Sequence, residues 1–138
     1  MSVVYFTDRD LGKQFPAILQ HAGLEVEKHQ DHFPPNATDQ DWLRMVGERG
    51  WVAITHDKRI RYKPNELNAV RLHRVALLVV VGKARFQDLA TSFVATRGRI
   101  ERFLERHTPP FIAKVYRPSA EQISHDPVAP GRIELWYP

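Results

Sequence analysis

Short apolar runs recur along the whole chain, and amphipathic stretches separate them. A run of buried-strand type followed by a helix-period segment, repeated several times, is the pattern of an α/β fold with a parallel sheet. Ser2–Thr7 reads as a strand buried on both faces. A helix follows within Leu11–Ala22, with Leu11, Phe15, Ile18, Leu19 and Ala22 on one side, and Gly23 closes it. Leu24–His29 alternates and predicts a shorter, more exposed strand, and Gln30–Ala37, with Pro34-Pro35, predicts a loop. Thr38 is an N-cap with Asp39 and Asp41 in the first turn of a helix that runs to Gly50. Trp51–Thr55 is the third strand, His56–Lys63 a basic loop, and Pro64 opens a helix to about His73. Val75–Val81 is the fourth strand, Phe86–Arg106 one long helix, and Phe111–Tyr116 the fifth strand. With right-handed crossovers, these elements predict a doubly wound parallel five-stranded sheet with helices on both faces, a three-layer α/β/α fold over residues 1–117. Residues 118–138 hold four of the ten prolines, show no clear period, and read as an extended C-terminal addition to the same domain.

The 138 residues suit a single domain with a core that needs no staples. Cysteine is absent, which excludes disulfides, thiolate metal sites and a cysteine nucleophile. Val75–Val81 is the longest apolar run, far short of the ~20 residues of a membrane span. The first ten residues lack the charged and apolar regions of a signal peptide, so a cytoplasmic protein is expected.

The net charge of +4 conceals a division. Residues 1–57 hold nine acids and five bases, whereas residues 58–106 hold twelve bases and four acids. A basic half calls for an anionic partner and leaves the acids another task. Asp8 and Asp10 follow the first strand, and Asp57 follows the third. In an open parallel sheet, ligands bind at the carboxyl ends of strands near the switch point, where the first and third strands are neighbours. Folding does not require an acid directly after each of two buried strands, so Asp8 and Asp57 stand out. Asp39, opening the helix that feeds the third strand, is expected towards the opposite edge, unless that helix tilts or its start folds over the site. Clustered carboxylates repel unless a cation compensates, and an oxygen-only donor set suits Mg²⁺ or Mn²⁺. Such an ion serves phosphodiester hydrolysis, with Lys58, Arg59, Arg61 and Lys63 placed to meet the phosphates. The plain alternative for Asp39 is helix capping, and for Asp10 a solvated turn. His29, Asp31 and His32 lack ligand spacing.

Val3-Val4-Tyr5-Phe6-Thr7-Asp8-Arg9-Asp10-Leu11 resembles the opening of PIN-like nuclease domains. Thr38-Asp39-Gln40-Asp41-Trp42-Leu43 and Ile54-Thr55-His56-Asp57-Lys58 look like the second and third acidic motifs of that family, in its short subgroup of VapC-type toxins. The resemblance implies a magnesium-dependent ribonuclease acting on transfer or ribosomal RNA, silenced by a cognate antitoxin and often a homodimer. It implies Asp8, Asp39 and Asp57 as catalytic metal-holding acids, with Asp10 and Asp41 as adjacent candidates. Many relatives carry a further acid two residues after the third motif. Here that position is Arg59, and Glu66 is the candidate substitute. Two other readings compete. One is a non-catalytic PIN-like module that binds RNA or protein. The other is a phosphorelay receiver, which would want a hydroxyl ending the fourth strand and a lysine after the fifth. A phosphatase using Asp8-Arg9-Asp10 lacks its later motifs.

Overall fold

A computed structural model describes residues 2–138. Its sheet has six strands in the order β2-β1-β3-β4-β5-β6. They are β1 (Val4–Thr7), β2 (Glu25–Lys28), β3 (Val52–Thr55), β4 (Ala76–Val81), β5 (Phe111–Tyr116) and β6 (Arg132–Tyr137). The first five pair in parallel and form the expected doubly wound core, and β6 pairs antiparallel with β5. The helices are α1 (Gln14–His21), α2 (His29–His32), α3 (Asp39–Arg49), α4 (Pro64–Leu72), α5 (Phe86–Ala95), α6 (Arg97–Arg106) and α7 (Ala120–His125).

Strand alternation sorts side chains to two cores. Tyr5, Ile54, Leu78 and Ala113 face one way, against Phe15, Leu19, Leu89, Phe93 and Ile100 of α1, α5 and α6. Phe6, Ala53, Leu77 and Ile112 face the other way, against Trp42, Leu43, Val46, Ala69 and Val70 of α3 and α4. Helices therefore cover both faces, as the unbroken apolar runs require.

Several expectations need correction: the segment Gln30–Ala37, read as a loop, begins within α2, and the tail, read as extended, carries α7 before its last strand. The sheet has six strands rather than five, because the proline-containing tail returns as β6 along β5. The single long helix is two helices, divided at Thr96. The buried Thr96 hydroxyl donates to Ser92 O at 2.7 Å and accepts from Gly131 N at 2.9 Å, so the segment leading into β6 is anchored at the division. The basic segment after Asp57 is a 3-10 helix, Lys58–Tyr62, rather than a free loop. Ile60 is its fully buried anchor, and Lys58 and Arg59 are left at the surface.

Candidate active site

The site lies at the switch point, where β1 and β3 run side by side and the crossovers leave in opposite directions. Asp8 N extends the ladder to Ile54 O at 2.9 Å, so the residue after β1 is fixed by sheet pairing. Asp8 then caps a 3-10 turn, Arg9–Leu11, with its Oδ1 accepting from Arg9 N at 2.7 Å. Its Oδ2 accepts from the Thr55 hydroxyl at 2.8 Å. Asp10 turns its carboxyl inward to the same hydroxyl, at 3.2 Å, and to His56 N, at 3.2 Å. Thr55 Oγ1 in turn accepts from Asp57 N at 3.2 Å. One fully buried threonine thus gathers Asp8, Asp10 and the backbone of Asp57.

Electrostatics follow from this crowding. Asp8 is 9% exposed. Burial, helped by the charges of Asp10 and Asp39, pushes its carboxyl up from 3.8 to about 7, against the hydrogen bonds from Thr55 and Arg9. Burial also raises Asp10, partly offset by His56 N and Thr55. With one hydroxyl proton between them, the two acids titrate as a pair.

Asp57 belongs to a second arrangement. Its Oδ1 accepts from Arg59 N at 3.0 Å and its Oδ2 from Lys63 Nζ at 2.7 Å. Partial burial pushes the Asp57 carboxyl up, but the Lys63 ammonium and the Arg59 amide outweigh it and hold the group low. Lys63 Nζ also lies 4.0 Å from Asp39 Oδ2, while Asp39 Oδ1 accepts from the Trp42 indole at 3.0 Å. Asp39 therefore sits with the other acids and not at the opposite edge. A crossover helix runs antiparallel to its strands, so the first turn of α3 lies over their carboxyl ends without any tilt. Asp41 is differently employed. It is exposed and closes a capping box, with its Oδ2 accepting from Thr38 N at 3.1 Å and its own N–H donating to Thr38 Oγ1 at 3.3 Å. Glu66 stands half-buried in the first turn of α4. Lys58 and Arg59 are exposed beside Asp57, whereas Arg61 is half-buried with its Nε donating to Trp136 O at 3.3 Å.

Sequence reasoning missed Thr55, whose hydroxyl looks like an ordinary strand residue until Asp8 and Asp57 flank it in space. It also missed Arg9. Its guanidinium donates to His29 Nδ1 at 3.2 Å and to Phe33 O at 2.8 Å, tying the segment around α2 to the start of the site. Burial of His29, with Arg9 beside it, keeps that imidazole below its usual range, so it is a neutral acceptor. The phosphorelay reading finds no lysine after the fifth strand: Lys114 lies within β5, with its ammonium 4.0 Å from the Trp136 ring centroid.

Among the described residues, no three histidines, aspartates or glutamates form a ready-made metal-ligand set. The donors nevertheless suit a hard dication in kind and charge. They are all oxygens, Asp8 and Asp10 converge without a counter-ion between them, and Lys63 supplies the compensating charge for Asp57 and Asp39.

A family profile described as "PIN like domain" matches residues 3–82. The protein named "Putative ribonuclease VapC45", from Mycobacterium tuberculosis (strain ATCC 25618 / H37Rv), is 30% identical over 118 residues, which span 80% of this chain and 84% of that protein. No solved structure matches at a significant level.

Proposed function

The chain belongs to the PIN-like domain family, and from that premise we propose that it is the toxin of a type II toxin–antitoxin pair, an endoribonuclease that requires Mg²⁺ or Mn²⁺. The observation that carries this reading is the convergence of Asp8 and Asp10 on the buried Thr55 hydroxyl at the switch point, with Asp57 held on the same threonine. Asp8 and Asp10 would hold the ion, with Asp57 and Asp39 beside them. A divalent cation supplies a more acidic water when bound, and positive charge against the phosphate oxygens.

The remaining work falls to the chain itself. Thr55 keeps both carboxylates turned to one point. Asp8 and Asp10 present their carboxyl oxygens at that point, where they would hold the ion and orient an attacking water. Lys58 and Arg59 stand exposed next to Asp57, where a phosphate backbone would pass. Acidic pocket and basic rim together give a cognate antitoxin two surfaces of opposite charge to cover.

Purified protein should cut single-stranded RNA when supplied with Mg²⁺ or Mn²⁺ and fall silent in EDTA. Cleavage that persists unchanged in EDTA, or that neither ion restores, would remove the metal from the mechanism.

A second expectation concerns Lys63. Its ammonium already neutralises Asp57 and Asp39, so an incoming dication has to compete with it. Lys63→Met should tighten Mn²⁺ binding, measured by calorimetry, by up to about fivefold, the worth of a half-exposed ion pair at ~1 kcal/mol. The same variant should melt at a lower temperature without metal, because two acids lose their cation. Unchanged Mn²⁺ affinity would show that the ion sits away from Asp57.

A further inference from the structure

Five residues along the chain from Asp57, the fold leaves one tyrosine ring largely uncovered. Tyr62 ends the 3-10 helix that starts after Asp57, and its side chain is 67% exposed. The next residue is Lys63, whose ammonium touches Asp57. The ring is thus one residue along the chain from the lysine that pairs with Asp57.

The ring is exposed but braced. Trp136 of β6 meets it edge to face, with centroids 5.8 Å apart and planes at 82°. The Arg61 guanidinium lies 5.5 Å from the Tyr62 centroid, 5.6 Å from that of Trp136 and 5.7 Å from that of Tyr137. Trp136 is itself occupied, packed against the second core with the Lys114 ammonium 4.0 Å from its centroid. Among these contacts none is with a carboxylate. A surface tyrosine fixed by a tryptophan and an arginine loses little freedom when something is laid on it, which favours binding. An aromatic face beside Arg61, on the same 3-10 helix as the exposed Lys58 and Arg59, matches the needs of an unpaired nucleotide, whose base stacks while its phosphates meet the cations.

We propose that Tyr62, braced by Trp136 and Arg61, is a stacking platform for an unpaired RNA base next to the phosphate that is cut. The proposal rests on the ribonuclease reading and adds to it a residue that engages the unpaired strand, because a paired base does not present its face. Stacking tolerates all four bases, so the platform sets strandedness and register rather than sequence.

The test is the affinity of the protein for a labelled oligoadenylate of about ten nucleotides, within the usual site sizes, measured by anisotropy in EDTA over a range of salt. Tyr62→Ala should weaken binding roughly 5- to 150-fold, the worth of one base–aromatic stack. Tyr62→Phe should retain it, and the salt slope should stay the same in all three proteins, since the phosphate contacts are untouched. Preference for the single strand over a duplex of equal length should shrink in Tyr62→Ala. If wild type binds with a clear salt slope and Tyr62→Ala binds equally well, the platform is wrong while the ribonuclease reading stands. In that case Tyr62 is left as an anchor for a protein partner. If wild type shows no salt-dependent RNA binding in EDTA, the platform fails, and the ribonuclease reading is decided separately by cleavage with Mg²⁺ or Mn²⁺. Tyr62→Ala gives up its contacts with Trp136 and Arg61, a small loss of stability, and should stay folded at the assay temperature, so a loss of affinity is not a loss of fold.

Discussion

Asp8→Asn should abolish RNA cleavage and at the same time stabilise the metal-free protein at neutral pH. The loss of activity should exceed the roughly 10–100-fold that outer-shell partners of a metal site cost, because Asp8 is placed to touch the ion or the reacting water. The gain in stability follows from burial. Ionising Asp8 in its native place is opposed by desolvation and by Asp10 and Asp39. Asparagine carries no charge to bury. Its amide also fits the hydrogen-bond pattern. The oxygen can keep Arg9 N, now at 2.7 Å, while the nitrogen donates to Thr55 Oγ1, now at 2.8 Å. Thr55 then turns its own proton to Asp10, already within 3.2 Å. This is the arrangement a protonated Asp8 would adopt, so the variant imitates a state the native fold already favours.

The pH dependence has a definite sign. Asp8 has a higher affinity for its proton in the folded protein, about 7, than its ordinary 3.8. Between those values the native state binds more protons than the unfolded one, so stability falls as pH rises through the window. Below it the penalty vanishes, and above it the penalty is complete, at a few kcal/mol at most. Urea unfolding in EDTA should show wild type losing stability across this window and Asp8→Asn losing much less, with a smaller slope left from Asp10. Equal slopes in the two proteins would mean that Asp8 is not the buried acid that titrates. Wild-type cleavage rates for Asp8→Asn in Mg²⁺ would remove it from catalysis.

Most of the sheet was legible because its signals are local. The runs around Val4–Thr7, Val52–Thr55, Ala76–Val81 and Phe111–Tyr116 are apolar on both faces, as strands between two helix layers must be. Thr38 with Asp41, Pro64 and Gly23 announced helix ends through chemistry confined to one turn. The misses depend on distant partners. Nothing near Thr96 says that its hydroxyl will receive Gly131 N, so the long helix looked unbroken. β6 is an edge strand with no fully buried residue, and its short alternation Arg132-Ile133-Glu134-Leu135 follows a proline-containing stretch that hides it. At the site, Asp8 and Asp57 were visible because each directly follows a buried strand. Asp39 was misplaced by overlooking which way a crossover helix points. Thr55 and Lys63 gain their significance only from neighbours outside their own segment: Thr55 from Asp8 and Asp10, Lys63 from Asp39 as well as Asp57.

Gly47→Ala should be more damaging than any comparably small change elsewhere on α3, against the direction that helix propensity predicts. Alanine inside a helix is favoured over glycine by about 1 kcal/mol. Here the added Cβ would lie 2.2 Å from His73 O and 2.8 Å from His73 Cβ, at the end of α4. A carbonyl oxygen cannot rotate aside as a side chain can, and His73 is held by its own N–H to Ala69 O at 3.0 Å and by the start of β4 shortly after. The two helices must therefore part. Overpacking of this kind costs about 1–3 kcal/mol, enough to outweigh the propensity gain and lower the melting temperature by several degrees. The consequence for function is larger than the loss of folded protein. α3 carries Asp39 at its first turn, and the segment that leads into α4 carries Lys63 and Asp57, so separating the helices parts Asp39 from both. A shift of about 1 Å at a catalytic group can cost ~100-fold in rate. Gly50→Ala is the control: Gly50 has φ +67° and nothing within 4 Å of a Cβ, so it should lose about 1 kcal/mol to backbone strain and keep the activity of its folded fraction. Gly47→Ala with wild-type melting and cleavage would show that α3 and α4 can separate without disturbing the acids between their first turns.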